Sequence, residues 1–64
     1  MLKINGESVA AAGKTVAEYL RETNYNPNRV AVELNGEIVP KAQYGAAVLN
    51  DGDEVEIVSF VGGG

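Results

Sequence analysis

Asn50-Asp51-Gly52-Asp53-Glu54-Val55-Glu56-Ile57-Val58-Ser59-Phe60-Val61-Gly62-Gly63-Gly64 holds a turn, a strand and a glycine run in direct succession. Asn-Asp-Gly-Asp is a strong turn signal, because each of these residues tolerates backbone angles that others avoid. From Glu54 to Val61 the pattern is that of a strand. Side chains alternate across a strand, so Val55 and Ile57 share one side while Val58 and Phe60 share the other. Only one side can face a core, and Val55 and Ile57 are assigned to it. Val58 and Phe60 are then expected on an open face beside the glycines, where an exposed apolar pair would be a docking patch. A small cluster covered by neighbouring strands is the alternative. The run Gly62-Gly63-Gly64 has no side chains, so the one reactive group it offers is the carboxylate of Gly64. Glycine lacks a Cβ, and the expectation is a thin, flexible tail able to thread a narrow channel. A frayed terminus also fits the composition.

Working back from this stretch, Val30, Val32 and Leu34 alternate with Ala31 and Glu33 as a strand, and Asn35-Gly36 leads to a short strand at Ile38-Val39. Pro40 to Tyr44 reads as an irregular or 3₁₀ turn, with Tyr44 plugging the core. Thr15 and Glu18 have the spacing of a capping box. Val16, Tyr19 and Leu20 follow on one helical face, with Glu18, Arg21 and Glu22 largely on the other. Asn24 to Asn28, with Pro27 inside, ends this helix. Leu2-Lys3-Ile4-Asn5 alternates as a half-buried strand, Asn5-Gly6 is the preferred pair for a tight hairpin, and Glu7 to Ala10 returns antiparallel. One helix can cover one face of a four- or five-stranded sheet, which gives an α+β two-layer architecture.

Composition narrows the function. Sixty-four residues make one small domain with a thin core. A drug-sized pocket, about 300 Å³ or more, would consume much of that core, so function is expected at a surface or an end. There is no Cys and no His, which removes disulfides, the usual zinc ligands, thiol nucleophiles and the commonest general acid–base residue. Catalysis by this chain alone is not expected. The net charge is −4. Lys3, Lys14, Arg21, Arg29 and Lys41 are scattered singly, without the basic stripe that nucleic acid requires. Asp51, Asp53, Glu54 and Glu56 gather late, either as a solvated turn and strand face or as a complement to a basic partner, which would make association salt-sensitive. No apolar run approaches membrane-spanning length and no signal-peptide pattern opens the chain, so a cytoplasmic location without membrane contact is expected.

The succession of hairpin, capped helix, Leu34-Asn35-Gly36-Glu37-Ile38-Val39-Pro40, Asn50-Asp51-Gly52-Asp53-Glu54-Val55-Glu56-Ile57 and Phe60-Val61-Gly62-Gly63-Gly64 resembles the ThiS family of thiamin-biosynthesis sulfur carriers. These are ubiquitin-like β-grasp proteins with a C-terminal Gly-Gly. The likeness spans the whole chain. It implies a β-grasp domain over residues 1–61, with a mixed sheet and one helix packed on one face, followed by a flexible glycine tail over 62–64. One departure is the third glycine, where the family needs two; Gly62 would lengthen the arm.

The resemblance implies a defined chemistry. A ThiF-like adenylating partner would use Mg-ATP to convert the Gly64 carboxylate to an acyl-adenylate. Sulfur from a donor such as a cysteine desulfurase would replace AMP to give a thiocarboxylate, which a ThiG-like thiazole synthase would consume. No cofactor would be bound by this chain itself. The residues suit that scheme. A carboxylate with a pKa of about 3.5 is ionised and unreactive until it gains a leaving group. A glycine Cα leaves the activated carbonyl unhindered, and Gly63 and Gly62 let the chain lie flat in a channel. The small subunit of molybdopterin synthase, or another β-grasp sulfur donor, shares this logic. A ubiquitin-like modifier, in which Gly64 ends in an isopeptide bond, also fits.

Overall fold

The computed structural model describes residues 1–60; Val61 and the glycine run 62–64 lie outside the described residues, and with them the expected domain boundary. Six regular elements follow in order: β1 (Leu2–Ile4), β2 (Glu7–Val9), α1 (Val16–Glu22), β3 (Val30–Leu34), β4 (Glu37–Ile38) and β5 (Glu54–Ser59). The strands form one five-stranded sheet in the order β2-β1-β5-β3-β4. β5 is its centre. It runs parallel to β1, with Lys3 beside Glu54 and Ile4 beside Val55, and antiparallel to β3, from Val30 beside Ser59 to Leu34 beside Val55. The sheet is therefore mixed, and α1 covers one face, which is the β-grasp arrangement.

The period-2 pattern decides which face is covered. Leu2, Ile4, Val30, Val32, Val55 and Ile57 are all buried, and they meet Val16 and Leu20 of α1. Val39, Tyr44 and Leu49 close the core from the long connection to β5. Tyr44 plugs the core as expected and hydrogen-bonds through its hydroxyl to the Val30 carbonyl at 3.4 Å; burial pushes its phenol pKa up. Tyr19 is only partly buried, at the margin of the same cluster.

Helix α1 starts where Thr15 and Glu18 place it. The Glu18 amide donates to Thr15 Oγ1 at 3.1 Å, and the Thr15 amide donates to Glu18 Oε1 at 2.8 Å. The Val16 and Ala17 amides, which have no partner inside the helix, donate to the carbonyls of Ala47 and Tyr44 at 2.9 Å each. The connection that fills the core thus also caps the helix. Asn24, at φ 65°, turns the chain away, and Pro27–Arg29 forms a 3₁₀ turn that sequence periodicity did not reveal.

Both Asn-Gly pairs form the expected turns, with Asn5 and Asn35 at φ 53° and 52°. Each asparagine also ties its turn to β5. The Ile57 amide donates to Asn5 Oδ1 at 2.8 Å, and Asn5 Nδ2 donates to the Ile57 carbonyl at 3.3 Å. The Asn5 amide still donates to the Val55 carbonyl at 2.8 Å, and its side chain adds the next rung of the ladder. Asn35 accepts from the Glu54 amide at 2.9 Å and donates to Asp53 at 3.1 Å.

The last strand is shorter than expected. It ends at Ser59, before Phe60, because its partner β3 begins only at Val30, after the 3₁₀ turn; the expected last residue, Val61, lies outside the described residues. One further bond holds the exit: the Phe60 amide donates to the Arg29 carbonyl at 2.7 Å.

Candidate functional site

The central strand delivers the chain to its C-terminal glycines. Because β5 is paired on both sides, the point at which it leaves the sheet is fixed at the Val30 end of β3. The proposed reactive residue Gly64, with Gly63 and Gly62, lies outside the described residues, four or fewer positions beyond the anchored Phe60. A run of four residues reaches at most about 14 Å.

Beside that exit the sheet is open. Val58 is 58% exposed and Phe60 51%, and the alternative of a cluster covered by neighbouring strands is overturned. The reason is the one-sided cover: α1 shields only the Val55 and Ile57 side. Val58 faces Ala31 across the β3–β5 ladder, and one step further from the exit Glu56 faces Glu33. Like charges directly opposite are destabilising, so the open face grades from apolar at the exit to acidic at mid-sheet. The exposed pair Val58 and Phe60 therefore sits at the end of the described chain, where β5 leaves the sheet.

The acidic residues of the last turn are mostly occupied with structure. Asp53 accepts from the Asn50 amide at 2.9 Å and from Asn35, and Asp51 lies 2.5 Å from the Met1 amino nitrogen. They stand at the start of β5, the far end from the glycines. Of the late acidic group, Glu54 and Glu56 share the open face with Val58 and Phe60. Among the described residues no group of three or more His, Cys, Asp or Glu side chains could hold a metal ion, and no helix is long and apolar enough to cross a membrane.

Space for a ligand lies outside the core. A groove of about 690 Å³ runs along the helix side between α1, the Tyr25–Pro27 segment and Lys41 to Gly45. Its two cations, Arg21 and Lys41, are separated by twenty positions in sequence, and nothing in local periodicity brings them together.

This architecture has close counterparts. A solved ThiS protein from Geobacter metallireducens superposes with a TM-score of 0.78 at 37% identity, covering 98% of this chain and 97% of that one. The family model described as the ThiS family matches residues 2–64. The chain belongs to the ThiS family. Among ThiS relatives, the Bacillus subtilis protein named sulfur carrier protein ThiS is 39% identical, with both chains covered completely. A protein of Paramagnetospirillum magneticum named thiazole synthase is 50% identical over 98% of this chain. This chain spans only 20% of that thiazole synthase, and the same share of a second one from Magnetococcus marinus. A ThiS-like segment thus occurs within much longer polypeptides named for thiazole formation.

Proposed function

We propose that this chain is the sulfur carrier of thiazole formation in thiamin biosynthesis, acting as a co-substrate of partner enzymes and not as a catalyst. The observation that carries the reading is full-length membership of the ThiS family, with relatives named as sulfur carriers aligned from end to end. The thiazole synthases that contain a similar segment favour a thiazole synthase over a molybdopterin acceptor.

In this reading the Gly64 carboxylate attacks the α-phosphorus of ATP, held with magnesium by the adenylating partner. Pyrophosphate leaves and an acyl-adenylate forms. The terminal sulfur of a donor persulfide, such as that of a cysteine desulfurase, then adds to the carbonyl and expels AMP, and a thiol reductant cleaves the S–S bond of the resulting acyl disulfide to release the thiocarboxylate. The thiocarboxylate so formed is consumed by the thiazole synthase. This chain's part is to present an unhindered carboxylate. Gly63 and Gly62 fit the partner's channel, and Val58 and Phe60 dock beside it. The Glu33–Glu56 pair next to that patch suits a partner surface with a basic rim, which steers encounter.

Intact mass is the test. The chain is incubated with Mg-ATP, the cognate adenylating enzyme and a sulfur source, in parallel with a chain lacking Gly63 and Gly64. A shift equal to one oxygen replaced by sulfur, seen only with the complete tail, is the expected result. An unshifted mass with an enzyme active on another carrier would remove the reading. A ladder of protein conjugates in cells would replace it with a modifier.

A further inference from the structure

The helix-side groove is a second place where this molecule is built to be touched. Ala17 and Arg21 of α1 form one wall, Tyr25 and Pro27 its end, and Lys41 and Gly45 the other wall. Its volume, about 690 Å³, falls within the range of binding sites. It is more open than enclosed, and a free small molecule would be incompletely surrounded there. An extended segment of another chain suits such a shape better.

Charge specifies what kind of segment. The molecule is acidic overall, yet this groove holds two of its five cations. Among the described residues neither Arg21 nor Lys41 has a carboxylate within salt-bridge distance. Lys41 bonds only to the neutral side chain of Asn28. The nearby helix carboxylates are already engaged: Glu18 holds the Thr15 amide and Glu22 holds Lys14 at 2.9 Å. Two exposed cations beside half-buried Tyr25 and Ala17 are complementary to carboxylates flanking an apolar side chain.

Position specifies which partner. One end of the groove is close in sequence to the point where β5 leaves the sheet. Tyr25 to Pro27 lead within a few residues into Val30, whose strand neighbour is Ser59, and Arg29 holds the Phe60 amide. A protein that encloses the tail must cover this end of the molecule. The open face carries Glu33 and Glu56, and the groove carries Arg21 and Lys41 on the opposite, helix side. Opposite signs on two sides of one exit fix a single orientation of approach.

We infer that the groove between Arg21 and Lys41 receives an acidic segment of the adenylating partner, setting the rotational register in which the tail enters the partner's site. This rests on the carrier reading above. The groove acts as a positioning surface, and no bond is made or broken in it.

Gly45 supplies a clean test. It lines the groove, and a Cβ built on it would meet nothing within 4 Å. Gly45→Gln therefore fills the groove without crowding the fold, while Arg21→Ala with Lys41→Ala removes the charge. Pyrophosphate release by the cognate adenylating enzyme is measured at varied carrier and salt concentrations, with thermal melting as the control for folding. Exposed charge pairs are individually weak, so the double variant should raise KM for the carrier by about three- to ten-fold, leave kcat unchanged and flatten the salt dependence. Gly45→Gln should raise KM with the salt dependence intact. Wild-type turnover with unchanged KM in both variants overturns the groove and leaves the carrier reading standing. A wild-type chain that an active enzyme does not adenylate removes both. Amide shifts at Arg21 and Gly45 caused by inorganic phosphate alone, and unaffected by the enzyme, would make the groove a small-anion site and overturn the inference.

Discussion

The two sides of β5 carry similar side chains and meet opposite surroundings. Val55 and Ile57 are 3% and 7% exposed, whereas Val58 and Phe60 are more than half exposed. Nothing in hydrophobicity separates the pairs. What separates them is the parity of their positions and the presence of a single helix. The lesson is that parity on one strand gives similar residues opposite surroundings: one side holds the sheet on α1, and the other stays open to solvent.

The comparison breaks if the buried side proves dispensable. Ile57→Ala removes most of a core side chain at the centre of the sheet and should cost about 2–5 kcal/mol. A domain of this size has little in reserve, so thermal melting monitored by circular dichroism should show a large drop or no cooperative transition. A loss no greater than that of Val58→Ala would show that the two sides do not differ as described.

Asn5→Ala sharpens the comparison by attacking the same residue from its backbone. It removes both bonds to Ile57 and leaves that amide without a partner, besides placing alanine at φ 53°. The expected cost is about 1–3 kcal/mol, read by denaturant titration. Asn5→Gly relieves the backbone angle but not the lost bonds, and should recover only part of the stability.

Phe60→Ala probes the open side. Exposed apolar truncations usually change stability by no more than about 0.5 kcal/mol, so the melting curve should hardly move. Affinity for the adenylating enzyme should fall about tenfold, the scale of a buried aromatic contact in an interface. Unchanged affinity with an intact fold would take Phe60 out of the docking surface.

The smallest expected effect concerns the helix that creates the asymmetry. The hydrogen bond from the Thr15 amide holds the Glu18 carboxyl below its ordinary pKa of 4.5, helped by the Thr15 hydroxyl and by Lys14 and Arg21. A depressed carboxylate contributes stability that is present above its unfolded value and lost as pH falls through the folded one. Glu18→Gln keeps the reach of a capping box without the charge. The melting temperatures of variant and wild type should therefore converge as pH drops through and below 4.5, and a constant gap would rule out the ionised form as the source.

Most of the fold was legible because its signals are local. The capping box at Thr15 and Glu18, the turns at Asn5-Gly6, Asn35-Gly36 and Asp51-Gly52, and the side of β5 that faces the core all follow from spacings of four residues or fewer. The exposure of Val58 was legible for the same reason, since parity alone puts it opposite to Ile57. The β5 boundary was not, because a strand stops where its partner stops, and that partner lies some thirty residues earlier. The second role of Asn5 and Asn35 had one faint signal: an amide both donates and accepts, whereas an aspartate at either turn could only accept.

By itself, then, the sequence determined the order of strands and helix, the inward and outward side of β5 and the glycine run near the end, because periodicity and turn chemistry act over a few residues. Only the tertiary structure decided that β5 lies between a parallel β1 and an antiparallel β3, that two turn asparagines extend the sheet with their side chains, and that Arg21 and Lys41 share a groove. Those facts depend on which distant segments pair, and pairing is settled by the burial of one shared core, not by any stretch of chain alone.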